Sequence, residues 1–181
     1  MSRTLFFPDT TVVSNFALID RMDVLSAVVR ENGAWCATVE YECRKGAVKP
    51  GLAAMGEAYA IFGDPLYPEG AEHLDIDLLQ EQLRGPGDSD SAHLGEAETI
   101  TIIRRRGLSA AFVTDDVDAR RSATLEGIPT YTSWQILKLA VAAGLMTDAE
   151  FMVAYATLVD ANRGHPPCGR SPQEVANWLA P

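Results

Sequence analysis

The feature that most restricts this chain is an alternation. The short apolar runs TLFF, GAWCAT, AAFV and IPTY are separated by longer stretches with helical spacing. Short apolar runs bounded by turn residues read as buried strands, and strands that alternate with helices predict a parallel sheet covered on both faces. The expected class is therefore α/β, a three-layer α/β/α arrangement around a central parallel sheet. In such sheets the functional crevice lies beyond the carboxyl ends of the strands. Two of the runs end there in acid: TLFF leads to Asp9, and AAFV leads through Thr114 to Asp115 and Asp116, with Asp118 just beyond. Carboxylates crowded in this way repel one another unless something positive sits among them.

The intervening stretches place the remaining elements. Thr10 or Thr11 can cap a helix over VVSNFALI, and MDVLSAVVRE carries Met22, Leu25, Val28 and Val29 at helical spacing. VEYECRKG reads as a helix closed by Gly46, PGLAAMGEAYAIFG as a helix opened by Pro50, and HLGEAETITIIRRRG as a helix ended by Gly107. VDARRSATLEG, SWQILKLAVAAG, DAEFMVAYATLVDANRG and SPQEVANWLA complete the helical set. Residues 64–91 mix Pro, Gly and acidic residues and read mostly as a variable connection, with one short helix around DLLQEQL. Residues 1–132 form the expected core, and 133–181 a helical extension packed on the same domain. Trp134, Leu137, Leu139 and Val141 in that extension read as core, with a homodimer face as the alternative.

A chain of 181 residues that is 47% hydrophobic can bury one core. No apolar run is long enough to cross a membrane, and the start, MSRTLFFPDT, has no apolar signal region, so the expectation is a cytoplasmic protein without a membrane partner. Cys36, Cys43 and Cys168 are widely spaced and read as reduced thiols, while His73, His93 and His165 are scattered without zinc-site spacing. A net charge of -10 argues against nucleic-acid binding by bulk positive charge. It leaves room for a local basic patch beside an acidic cleft.

Two helices offer further acids. Glu40 and Glu42 lie about 200 degrees apart on a helix, so they cannot both face one site. Glu42 shares a face with Val39, and Glu96 shares one with Ile100 and Ile103, so these are the first choices, with Glu40 and Glu98 in reserve. A site of carboxylates without His or Cys selects Mg2+ or Mn2+ over zinc. Taken singly, each of these residues has a plainer role: Asp9 a turn former, Asp116 and Asp118 helix caps, the glutamates solvated surface.

Jointly, the motifs resemble the PIN-domain nucleases. FPDTTVVSNFALIDRMDVL is similar to the family's opening strand, aspartate, hydroxyl residues and paired helices. VEYECRKG resembles its next element, in which a glutamate precedes a glycine by four residues, and this singles out Glu42. HLGEAETITIIRRRG resembles the Gly-Glu-x-Glu helix of one subgroup and points to Glu96. FVTDDVDARRSA resembles the strand-Thr-x-Asp element and points to Asp116. The resemblance implies a PIN-like fold and an endoribonuclease using Mg2+ or Mn2+, with Asp9, Glu42, Glu96 and Asp116 as the catalytic acids. Metal would be held by Asp9, Glu96 and Asp116, with Asp115 and Asp118 nearby. Thr10, Asn15, Thr114 and Arg120 would contact substrate, with Arg104, Arg105, Arg106 and Arg121 as further phosphate contacts. Many such proteins are toxins restrained by a small antitoxin, so RNA and an antitoxin are the implied partners. A non-catalytic PIN-like module binding RNA or protein is the main alternative. A haloacid-dehalogenase-like phosphatase would need a second Asp where Thr11 stands, and a response-regulator-like domain would need a lysine that IPTYTSW lacks.

Overall fold

A computed structural model of the chain describes residues 3–180. Strands β1 (Leu5–Pro8), β2 (Ala110–Val113) and β3 (Thr130–Tyr131) form a parallel sheet in that order. Phe7 sits opposite Phe112, and Phe112 opposite Thr130. Every residue of β2 is buried, as expected for a central strand with helices on both faces. Alternation along the strands divides the core. Phe7 and Phe112 face a cluster with Ile100, Ile103, Ala119 and Ala123, whereas Val113 faces the larger cluster of Val12, Phe16, Leu25, Trp134, Phe151 and Leu158.

The helices are α1 (Thr10–Leu18), α2 (Met22–Val29), α3 (Ala37–Gly46), α4 (Ala58–Phe62), α5 (Glu72–Leu83), α6 (Leu94–Arg105), α7 (Val117–Leu125), α8 (Ser133–Ala142), α9 (Asp148–Asp160) and α10 (Pro172–Leu179). Helices α6 and α7 supply the cluster over Phe112. Helices α1, α2, α8, α9 and α10 share the other, so the residues after 133 belong to one continuous core with the amino-terminal helices. Trp134 and Leu137 lie inside it, whereas Leu139 is half exposed.

Four expectations change. GAWCAT does not form a strand: Gly33 and Cys36 make isolated parallel bridges to Phe6 and Leu66, and α3 begins at Ala37, leaving too few residues for a ladder. IPTY contributes only Thr130–Tyr131, because Pro129 has no N–H to pair and Thr132 turns out to cap α8. Residues 53–57 form a 3-10 turn before the short α4, instead of one continuous helix. The connection 64–91 is more ordered than its composition suggests. It carries α5, packed on α6 through Ile76 and Leu83 and tied by ion pairs to the RRR run.

Candidate active site

The carboxyl ends of β1 and β2 lie side by side, with the Asp9 N–H donating to the Val113 carbonyl at 2.8 Å. Asp9 occupies the N-cap position of α1, yet its side chain makes no capping bond. It is only 4% exposed, and Thr114, fully buried, donates its hydroxyl to Asp9 Oδ2 at 3.3 Å. The Thr114 hydroxyl also accepts from the Asp116 N–H at 3.1 Å, so one side chain ties together the acids at the two strand ends. Asp116 does cap α7: its Oδ1 accepts from the Ala119 N–H at 2.6 Å.

Glu42 comes from α3, whose buried face holds Val39, Cys43 and Gly46. Its Oε2 accepts from Thr10 Oγ1 at 2.5 Å. Glu40 turns aside and pairs with Arg44 at 3.3 Å. Glu96 enters on the first turn of α6, where Gly95 permits a close approach to α3. A Cβ at Gly95 would stand 3.1 Å from Val39 Cγ2 and 3.7 Å from Glu42 Oε2. That glycine brings the Glu96 helix against the Glu42 helix. Glu98 is spent elsewhere: 3% exposed, it accepts from the N–H of Thr38 at 3.3 Å and from its hydroxyl, capping the start of α3.

Electrostatics join these acids. Burial, then the charges of Glu96 and Glu42, push the Asp9 carboxyl up from 3.8 to about 8. Burial also raises Glu96, with Asp116 and Glu42 adding to the effect against the partial relief of His93. Among the described residues no lysine or arginine pairs with Asp9, Glu42, Glu96 or Asp116; the nearest cationic candidate is His93, whose Nδ1 lies 3.6 Å from Glu96 Oε1. Also among the described residues, no group of three or more acidic, histidine or cysteine side chains forms a ready-made metal site.

The neighbouring residues divide between the cleft and the scaffold. Both oxygens of Asp115 accept from protein: Oδ1 from the Ser133 N–H at 2.9 Å, Oδ2 from the Ser133 hydroxyl at 2.6 Å and from Asn15 Nδ2 at 2.9 Å. Asn15 is 1% exposed and joins this network from α1. Asp118 stands exposed on the first turn of α7, favourably placed for the helix dipole. Arg120 neither pairs with Asp116 nor with Asp118. It donates to the Thr114 carbonyl at 3.2 Å and lines a cleft with Asp115. Arg121 is exposed.

The RRR run is engaged away from the acids. Arg104 and Arg105 both bind Asp75, and Arg106 grips Glu72 with contacts of 2.8 and 2.7 Å. The residues not anticipated around the site are Lys45 and Lys49, which line a cleft with Glu42 and Thr10, and Arg163 and His165 on the turn after α9. NRGHPP carries the turn signal, with positive φ at Asn162 and Gly164, but nothing in it locates the turn beside β2.

Comparison with protein-family models, with curated proteins and with solved structures returns no match.

Proposed function

We propose that this protein is a PIN-like endoribonuclease dependent on Mg2+ or Mn2+, and that Asp9, Glu42, Glu96 and Asp116 are its acidic centre. One observation carries the reading: beside the carboxyl ends of the parallel strands, burial and the charges of neighbouring acids raise the carboxyls of Asp9 and Glu96, and no arginine or lysine among the described residues makes an ion pair with any of the four. Structural carboxylates are ordinarily paired or spent as caps, as Glu98 and Glu72 are here; Asp9 and Glu42 are neither, and Asp116 caps α7 through Oδ1 alone. The donor chemistry suits a hard cation: it is all oxygen and makes no ion pair with lysine or arginine, and Mg2+ keeps several waters and needs only one or two carboxylates with substrate phosphate. When bound, the cation would neutralise the carboxylates and supply Lewis acidity for water activation and for charge on the phosphate.

The chain's own residues have distinct parts in this reading. Thr114 orients Asp9 and receives the Asp116 N–H, holding the two strand-end acids in register. Thr10 orients Glu42. Arg120, fixed to the Thr114 carbonyl, is placed to meet a phosphate oxygen at the edge of the acids. Asp115, Asn15 and Ser133 make the rigid floor that keeps the β2 end against α1 and α8. Resemblance to PIN toxins makes a small antitoxin the expected partner, and a basic side chain inserted among unbalanced acids would suit this site.

The absence of a preformed three-ligand cage among the described residues favours a second reading, a PIN-like module that binds without cutting. Cleavage of a mixed structured and single-stranded RNA pool separates the two. Purified protein with Mn2+ should cut, and protein with chelator or carrying Asp9→Asn should not. A folded protein that neither cuts nor binds Mn2+ by calorimetry is the binding module.

A further inference from the structure

Two clefts flank the acidic centre and share a wall. The first, about 430 Å3, is lined by Asp115, Arg120, Thr132, Gln135, Arg163 and His165. The second, about 340 Å3, is lined by Thr10, Glu42, Lys45, Lys49 and again Arg163. The second touches the acidic centre at Glu42, and the first lies beside it at Asp115, the neighbour of Asp116 in the chain. Arg163 is the cation common to both.

Their charge runs against that of the molecule. In a chain of net charge -10, the first cleft sets Arg120 and Arg163 against Asp115, and the second sets Lys45, Lys49 and Arg163 against Glu42. Two other clefts lean the other way, with Asp75 and Glu126 against Arg104, and Asp20 and Glu150 against Arg21, while one lined by Glu40, Glu42, Arg44 and Lys45 is balanced. Among the described residues, Lys45, Lys49, Arg120 and Arg163 make no ion pair, whereas Arg21, Arg44, Arg84 and the RRR arginines all do. A cation left unpaired in a cleft can meet a phosphate without first giving up a protein carboxylate.

We propose that the two clefts are one groove for a single-stranded phosphodiester chain, and that Arg163 is its central phosphate contact, so that the turn after α9 completes the substrate site. The proposal deepens the nuclease reading and rests on it for the direction of the strand across the acids. Unpaired cations and hydroxyl or amide side chains along a concave path supply the backbone-tracking part of a sequence-tolerant single-strand groove. The Arg163 N–H bonds to the Leu158 carbonyl at 2.8 Å, so the residue's backbone is anchored to the last turn of α9. Its position is therefore set by the packing of α9 on α1 and α8.

The test is binding in chelator, where no metal-dependent cutting occurs. A short fluorescein-labelled oligouridylate is titrated by anisotropy at several salt concentrations against the full chain, Arg163→Ala, Lys45→Ala/Lys49→Ala and, as a control, Arg30→Ala at an exposed residue that lines neither cleft, each checked for folding by thermal melting. Arg163→Ala should weaken binding about tenfold and lower the salt slope by about one. The double lysine variant should lower the slope by about two, and Arg30→Ala should match the parent. Asp9→Asn should bind at least as tightly, since it removes no cation from the groove. Folded Arg163→Ala that binds as the parent does overturns the proposal. So does a polyglutamate of matching charge that competes equally well, which would make the groove a site for acidic peptide. Loss of cutting with retained, Arg163-dependent binding would instead overturn the nuclease reading and leave the groove intact.

Discussion

Asp115 Oδ2 accepts the Ser133 hydroxyl at 2.6 Å, joining the end of β2 to the first turn of α8. With the Ser133 N–H and Asn15 Nδ2 also directed at this carboxylate, Asp115 is a structural acceptor inside the acidic neighbourhood.

Asp115→Ala should therefore destabilise the protein. It leaves the Ser133 N–H and Asn15 amide with no acceptor there, at about 1–3 kcal/mol for each orphaned group. Were Asp115 one more unbalanced acid, its removal would relieve repulsion and raise the melting temperature of metal-free protein. The sign of the shift in a thermal melt decides between them.

Asp9 carries the opposite expectation. Its folded carboxyl is held at about 8, above the ordinary 3.8, so between these values the folded protein keeps a proton that the unfolded chain releases. Stability of the metal-free protein should thus fall as pH rises from about 4 to about 8. Asp9→Asn should flatten that profile and melt a few degrees above the parent at pH 8, given about 2–4 °C per kcal/mol for a chain of this size. Mg2+ should raise the melting temperature of the parent and leave Asp9→Asn unmoved.

Glu96 and Glu98 lie on one helix and should respond differently. Glu98→Ala removes the acceptor for the Thr38 N–H and hydroxyl at the start of α3, and should cost about 1–3 kcal/mol whether or not metal is present. Glu96→Gln removes a carboxylate that burial and neighbouring acids disfavour, and should leave stability equal or higher while abolishing Mn2+-dependent cutting. Paired urea melts and cleavage assays read both.

Arg106→Ala should loosen α5 without weakening oligonucleotide binding. Glu72 is 6% exposed and is gripped through both oxygens by Arg106, which holds its carboxyl below the usual range. That contribution is complete above the ordinary carboxylate value and is lost as pH falls below it, through the lowered value of the folded protein. The gap in melting temperature between parent and variant should therefore narrow in acid. Reduced hydrogen-exchange protection confined to residues 72–83 would show the loosening directly.

Much of this arrangement was legible in the residues. The turn after β1, the short buried β2 and the helices of regular apolar spacing follow from local pattern, and the strand-end positions of Asp9, Asp115 and Asp116 follow with them. Glu42 was separated from Glu40 by the face it shares with Val39 and by the PIN-like spacing of four residues to Gly46, and Val39 and Gly46 do lie on the buried face of α3. Helix α5 was poorly legible because its stability comes from elsewhere. EHLDIDLLQEQL has little apolar face of its own, and it is held by arginines on α6 distant in sequence.

By itself the sequence determined the alternation of strand and helix, the parallel sheet that alternation requires, and the acids standing at its carboxyl edge. These depend on residue type and spacing over a few neighbours. The tertiary structure alone decided which acids are left unbalanced. It gave Asp115 to Ser133 and Asn15, gave Glu98 to α3, consumed the RRR run on α5, and carried Arg163 from the far end of the chain to the cleft beside Asp115. The physical reason is that a charge's role depends on its partners and its burial. Both are settled only when elements distant in the chain come to share one core.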